Sequence, residues 1–236
     1  PWTVSSLQYL RNALPNALVV DAGDLFQGSW PINFSKGNGS LSAFELLGVD
    51  VSTVGNHEFD YGPLPDDFPG VRGALERAAI NPPFEWVTAN VFERSKPKGE
   101  WKRWQPGKIR PWTLIDHHGI RVGVIGLSTT ETPTTTRSAY VDGLEFRDVV
   151  ETLREIVPQA REAGAEVIVV TGHLTGSCEP PEYTKEEVGC VPDGEIGRIL
   201  TELPEGTVDV LVAGHEHTIL RPVSYTHLRA HETVVY

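Results

Sequence analysis

An α/β fold of one domain is predicted by three features of the sequence. Short apolar runs of strand character alternate with amphipathic segments of helical period. Four of the apolar runs end in a glycine followed at once by polar groups: Gly23-Asp24, Gly55-Asn56-His57, Gly172-His173 and Gly214-His215-Glu216-His217. Polar groups at several strand ends are the pattern of a site built along one edge of a sheet. The 236 residues, 39% of them hydrophobic, are also enough to bury one sizeable core.

The elements follow in order. Residues 4–14 carry apolar side chains at helical spacing and predict a helix, and 17–20 predict a short strand that delivers Asp21 and Asp24. Asp24 stands after the glycine, where the chain leaves the sheet, and is the better ligand candidate; Asp21 is read as outer-shell or structural. Residues 36–40 read as a glycine-rich loop and 41–47 as a helix stopped near Gly48. Residues 49–54 predict a buried strand, 66–79 a helix with Pro65 near its start, and 84–89 another strand. Residues 95–111 read as a surface excursion anchored by Trp101 and Trp104. A hairpin is expected for 112–115 and 120–125, with His117 and His118 as solvated turn residues. The threonine-rich loop 127–136 is placed near the site. A helix at 149–163 with a possible kink at Pro158, a strand at 166–170, a helix at 195–203 and a last strand at 208–212 complete the alternation.

The turn at 54–62 organises the rest. Gly55 lets the backbone turn sharply as the strand ends. Asn56 offers a neutral amide oxygen as a metal ligand, and His57 an imidazole beside it. Asp60, three residues on, is placed to accept from one ring nitrogen of His57 and fix how the other points.

Composition narrows the function classes. A net charge of −12, spread along the chain, argues against a nucleic-acid polymer or an anionic membrane as partner. No run of eighteen apolar residues occurs, so no membrane span is expected. The two cysteines, Cys178 and Cys190, form no C-x-x-C pair. A disulfide between them would close a loop rich in Pro, Glu and Gly and would suit an exported protein; the alternative is two unrelated thiols.

Asp24, Asn56, His173, His215 and His217 together make an oxygen and imidazole set without thiolate, which suits Mn, Zn, Mg, Fe or Co. In an extended stretch His215 and His217 point to the same side and could face two metals or flank one. Asp24 is the best bridging candidate. Two ions about 3.5–4 Å apart would activate a water and hold a phosphoryl group for in-line attack.

Gly23 to Gly28, Gly55 to Gly62, Gly172-His173 and Gly214 to Thr218 resemble, in the same order, the motifs of the calcineurin-like metallophosphoesterases, and within them the 5′-nucleotidases and cyclic-nucleotide phosphodiesterases. The resemblance runs from about Leu7 to Val223. It implies a four-layer α/β/β/α sandwich of two mixed β-sheets flanked by helices. It implies two divalent metal ions in the complete protein, bridged by Asp24, with Asn56, His173 and His215 completing one site and His217 in the other. His57 and Asp60 match the family's catalytic dyad. The implied function is hydrolysis of phosphate esters, 5′-nucleotides or cyclic nucleotides, in the periplasm or outside the cell.

The chain also departs from the family. The family's first strand, ending in Asp-x-His, has no counterpart before Asp21, and the second domain that grips the nucleoside base has none either. With no Met at any position and Pro1 close to the first helix, the sequence reads as an N-terminally truncated phosphoesterase domain over residues 1–223. Residues 224–236 fit neither strand nor helix and resemble translated adapter sequence, so they are read as a non-native tail. Two alternatives stand beside the phosphoesterase: a thiosulfohydrolase, which shares the Asn-His-Glu turn but hydrolyses a sulfur ester, and a non-catalytic fragment lacking its first ligand motif. Phe59-Asp60 favours the nucleotidase side. Oligomeric state has no signature in the sequence.

Overall fold

The computed structural model describes residues 2–64, 66–94, 99–176 and 193–217. Its helices are α1 (Trp2–Ala13), α2 (Trp30–Phe34), α3 (Asn38–Leu47), α4 (Gly73–Ala78), α5 (Thr132–Thr135), α6 (Val149–Glu162) and α7 (Gly194–Glu202). Its strands are β1 (Val20–Asp21), β2 (Val51–Thr53), β3 (Glu85–Val87), β4 (Val91–Arg94), β5 (Trp101–Arg103), β6 (Trp112–His117), β7 (Ile120–Ser128), β8 (Leu144–Phe146), β9 (Val167–Leu174) and β10 (Val210–His215).

The strands form a parallel sheet β1-β2-β3, a mixed sheet β10-β9-β7-β6 in which only β6 runs antiparallel, and a small antiparallel sheet β5-β4-β8. The first two lie face to face. Val51 and Val87 of one meet Val122, Val124 and Val169 of the other in a dry valine layer. Gly126 lets the sheets close there, because a Cβ on it would fall on the Val87 carbonyl. The outer face of the mixed sheet, through Ile125, Leu127, Ile168 and Val170, packs on α6 and α7. The outer face of the parallel sheet carries α3, α4 and an aromatic cluster of Phe26, Phe59, Phe84, Trp86 and Trp104. The order helix, sheet, sheet, helix is the expected four-layer sandwich. The two main sheets are one parallel and one mixed, and the surface excursion contributes β5 to the third, small sheet with β4 and β8.

Strand period explains the layers. In β7 and β9, residues 122, 124, 167 and 169 face the partner sheet while 125, 127, 168 and 170 face the helices. The hairpin of β6 and β7 turns at His118, with φ 54°, as expected. Its neighbour His117 is tied through Nε2 to the Asn16 carbonyl at 2.6 Å.

Several local expectations are corrected. The helix expected at 66–79 is only α4, because Pro69 drives its predecessor away from helical angles and Gly70 follows. The loop expected at 36–40 is mostly the start of α3, entered through Gly37 at φ 86°. A short helix, α2, opens with Pro31 in its first turn. Of the two expected anchors, Trp104 is 2% exposed and packs on Phe59, whereas Trp101 is 37% exposed. Residue 223 and the tail 224–236 lie outside the described residues, so the expected domain boundary does too.

Asp148 caps α6, its Oδ1 accepting from the N–H groups of Val150 and Glu151 at 3.0 Å. Asp148→Ala is expected to cost about 1 kcal/mol in denaturant unfolding. Burial pushes this carboxyl up, but the Arg198 hydrogen bond and the two backbone donors hold it below its ordinary 3.8. Its contribution is therefore full above the unfolded value and lost as pH falls through the lower folded one. A loss unchanged between pH 7 and pH 2 would contradict this.

Candidate metal centre

The carboxyl ends of four parallel strands meet at one edge of the sandwich. β1 delivers Asp24, β2 delivers Asn56 and His57, β9 carries His173, and β10 ends at His215. The ligand atoms of Asp24, His173 and His215 all lie within 4.8 Å of one another.

Strand parity places His173. It continues the row of Val167, Val169 and Thr171 that faces the parallel sheet. Its Nδ1 donates to the Ala22 carbonyl at 2.9 Å, which directs Nε2 at the cluster. That nitrogen is 2.8 Å from Asp24 Oδ2 and 3.0 Å from His215 Nδ1. Burial alone would raise Asp24, but the His173 hydrogen bond and the His57 N–H hold its carboxyl below the ordinary range. Burial pushes His173 down, and Asp24 more than offsets it, so the ring sits above its usual value. Burial and neighbouring His173 hold His215 below its usual value.

His215 and His217 correct one expectation. An extended stretch would put them on one side, but their φ values are 108° and 52°, so strand parity does not govern them. The positive φ at His215 ends β10. His217 is exposed and is not in the converging set.

Asn56 is 2% exposed, and its Nδ2 donates to the Thr135 carbonyl at 3.4 Å. Its Oδ1 is buried without a hydrogen-bond partner among the described residues. Such an atom is costly unless something outside the protein satisfies it. A carboxylate, two imidazoles and an orphaned amide oxygen are a donor set that fits a divalent cation.

His57 lies in the single helical turn His57–Phe59. Its Nδ1 is 2.6 Å from Asp60 Oδ2 and its Nε2 is 3.9 Å from Asp24 Oδ2. The Asp60 hydrogen bond holds the imidazole above its ordinary pKa, against burial. Asp60 is itself braced: Gln27 Nε2 donates to Oδ2 at 3.0 Å and Thr136 Oγ1 to Oδ1 at 2.8 Å. The threonine-rich loop thus borders the site, in keeping with its position after a strand.

Asp21 is a brace. Its Oδ2 accepts from Ser52 Oγ at 2.7 Å and Gly23 N at 2.9 Å, and burial pushes its pKa up to about 6. Glu58, which sequence reading passes over, is fully buried and accepts from the backbone N–H groups of Asp24, Phe26 and Gly55. Burial pushes it up to about 8, the Asp24 charge adding to the rise. It ties the β1 exit to the β2 exit. Cys178 and Cys190 lie outside the described residues.

The family profile described as calcineurin-like phosphoesterase matches residues 4–218. The snake venom 5′-nucleotidase of Naja atra is 30% identical over 216 residues, 92% of this chain and 35% of that protein. The 2′,3′-cyclic-nucleotide 2′-phosphodiesterase/3′-nucleotidase of Salmonella typhimurium is 28% identical over 229 residues, 92% of this chain and 32% of that protein. The crystal structure of a 5′-nucleotidase precursor from Thermus thermophilus superposes with a TM-score of 0.66 at 26% identity, covering 96% of this chain and 38% of that one. The chain spans about a third of the length of these curated relatives.

Proposed function

The chain belongs to the calcineurin-like phosphoesterases, and from that premise we propose that its protein hydrolyses phosphate esters of 5′-nucleotides or cyclic nucleotides with divalent cations at the strand-end cluster. The observation that carries the reading is the convergence of Asp24, His173 and His215 beside the His57–Asp60 pair. The 5′-nucleotidase and cyclic-nucleotide phosphodiesterase names of the relatives supply the substrate class.

Asp24, Asn56, His173 and His215 would hold the first cation, with Asp24 shared toward a second that His217 would help to hold. The metal would be Mn, Zn, Mg, Fe or Co. When bound, such ions supply Lewis acidity toward the phosphoryl oxygens and lower the pKa of a coordinated water. The chain's own residues do the rest. His57 donates from Nε2 to the charge that grows on the phosphoryl group or the leaving oxygen. Asp60 holds the other ring nitrogen, and Gln27 and Thr136 hold Asp60. Among the described residues no helix is long and apolar enough to cross a membrane. The snake venom relative supports a secreted protein, periplasmic or extracellular. The thiosulfohydrolase alternative predicts sulfate release instead.

The test is phosphate release from adenosine 5′-monophosphate and 2′,3′-cyclic adenosine monophosphate with added Mn²⁺, beside sulfate release from a thiosulfate ester. Phosphate with no sulfate supports the reading, and sulfate alone overturns it. Metal analysis of the 236-residue chain after dialysis is expected to find one tightly held equivalent, since one donor set converges among the described residues. Two tightly held equivalents would mean that a second site is already built.

A further inference from the structure

Glu195 lies in the first turn of α7 and is not one of the converging ligand candidates, yet it is only 6% exposed. Its carboxylate is bound at both oxygens. Oε1 accepts from Thr130 N and Thr130 Oγ1, both at 2.8 Å. Oε2 accepts from Thr175 N at 3.0 Å and Thr175 Oγ1 at 3.3 Å. All four donors are neutral, and they come from two separate chain exits. Thr130 follows β7, and Thr175 follows β9 two residues after His173. One side chain on a helix thus fastens together the ends of two neighbouring strands of the mixed sheet.

The β7 exit leads into the site. From Thr129 to Thr136 it is a stiff turn: Thr132 N donates to Thr129 O, Thr135 N to Glu131 O and Thr136 N to Thr132 O. The far end of this turn touches two site residues. Thr136 Oγ1 donates to Asp60, and the Thr135 carbonyl accepts from Asn56. Fixing Thr130 therefore fixes the brace on Asp60, and fixing Thr175 fixes the exit of the strand that carries His173.

We propose that Glu195 is a positioning residue for the hydrolytic site, acting on the His57–Asp60 pair through Thr130 and Thr136 and on His173 through Thr175. The assignment rests on the phosphoesterase reading above. An acid in the first turn of a helix is often present only for the helix's own sake. Here the carboxylate reaches past its helix to two strand exits, and a carboxylate is the side chain able to accept from both at once.

Glu195→Gln keeps the shape but sets an NH₂ group against the donors of one threonine and leaves only a neutral oxygen for those of the other, so both exits are loosened. Turnover of adenosine 5′-monophosphate should fall roughly tenfold, in the range seen when groups behind a site are changed, with KM nearly unmoved. Combined with Thr136→Val, the loss should be clearly less than the product of the two single losses, because both act through one brace. The Mn²⁺ dissociation constant should rise severalfold in Glu195→Gln and stay at the parent value in Thr136→Val. Thr130→Ala, a milder change, should move turnover the same way by less.

If Glu195→Gln only lowers the melting temperature, while turnover and Mn²⁺ affinity of the folded protein match the parent, the proposal is wrong. Independent, multiplying losses with Thr136→Val would also overturn it. Should Glu195→Gln not fold, Thr130→Ala with unchanged turnover would reject it. Should the parent itself release no phosphate, the phosphoesterase reading fails, and Mn²⁺ affinity alone decides the place of Glu195.

Discussion

His57→Ala is expected to lower turnover about a hundredfold to a thousandfold, the usual effect of removing one donor aimed at developing charge, while metal content stays close to the parent's. The expectation follows from which atoms of the turn are engaged. Asn56 has its Nδ2 spoken for, while its Oδ1 has no hydrogen-bond partner among the described residues, so the asparagine is the proposed ligand of the turn. His57 has Nδ1 committed to Asp60 at 2.6 Å, its Nε2 stands 3.9 Å from Asp24 Oδ2, beyond hydrogen-bond distance, and His57 is not one of the three residues whose ligand atoms converge. The Asp60 hydrogen bond favours the proton-bearing ring. Asp60→Asn should cost less, since it mis-sets the imidazole without removing it. Asn56→Ala should lower metal occupancy and rate together. Turnover and metal content measured on the three variants decide the assignment. A His57→Ala protein that loses its metal would make His57 a ligand.

Much of the candidate site is legible in the sequence because its candidate ligands stand where glycine meets a strand end. Gly23-Asp24, Gly55-Asn56 and Gly172-His173 can be read from local sequence, and strand parity aims His173 at the partner sheet. The helix α6 is legible for a similar reason: its apolar period and its Asp148 cap are local. The unread parts depend on contacts far apart in sequence. Glu195 meets Thr130 across 65 residues, and Glu58 meets Phe26 across 32. In sequence each is one acid among 32. His215 and His217 mislead for another reason, because alternation holds only for extended backbone and both have positive φ. Residues 66–72 mislead because their acidic, helix-start character masks the break that Pro69 imposes.

Gly55→Ala is expected to abolish tight metal binding and cut turnover below about a hundredth, although it removes no ligand. A Cβ at Gly55 would fall on Asp24 Oδ1 and stand 2.7 Å from Asp24 N. Neither neighbour can yield. The Asp24 backbone is held by Glu58 Oε2, and Gly55 N donates to the same carboxylate oxygen. From the other side, a Cβ on Gly23 would meet Gly55 N at 2.9 Å, so the two exits pack backbone to backbone. The added methyl must therefore push the β1 exit from the β2 exit and carry Asp24 away from His173. Overpacking of this kind typically costs about 1–3 kcal/mol, which the valine layer and the α6 core, at a distance from this edge, should survive. The protein should remain folded by circular dichroism yet lose its metal on dialysis. Gly119→Ala is the control. Unlike Gly55, Gly119 has positive φ, at 85°, and among the described residues nothing lies within 4 Å of its would-be Cβ. It should lose roughly 1–2 kcal/mol from backbone strain and keep both metal and turnover. A Gly55→Ala protein that holds its metal and turns over within a fewfold of the parent would show that the spacing of the two strand exits does not set the geometry of Asp24.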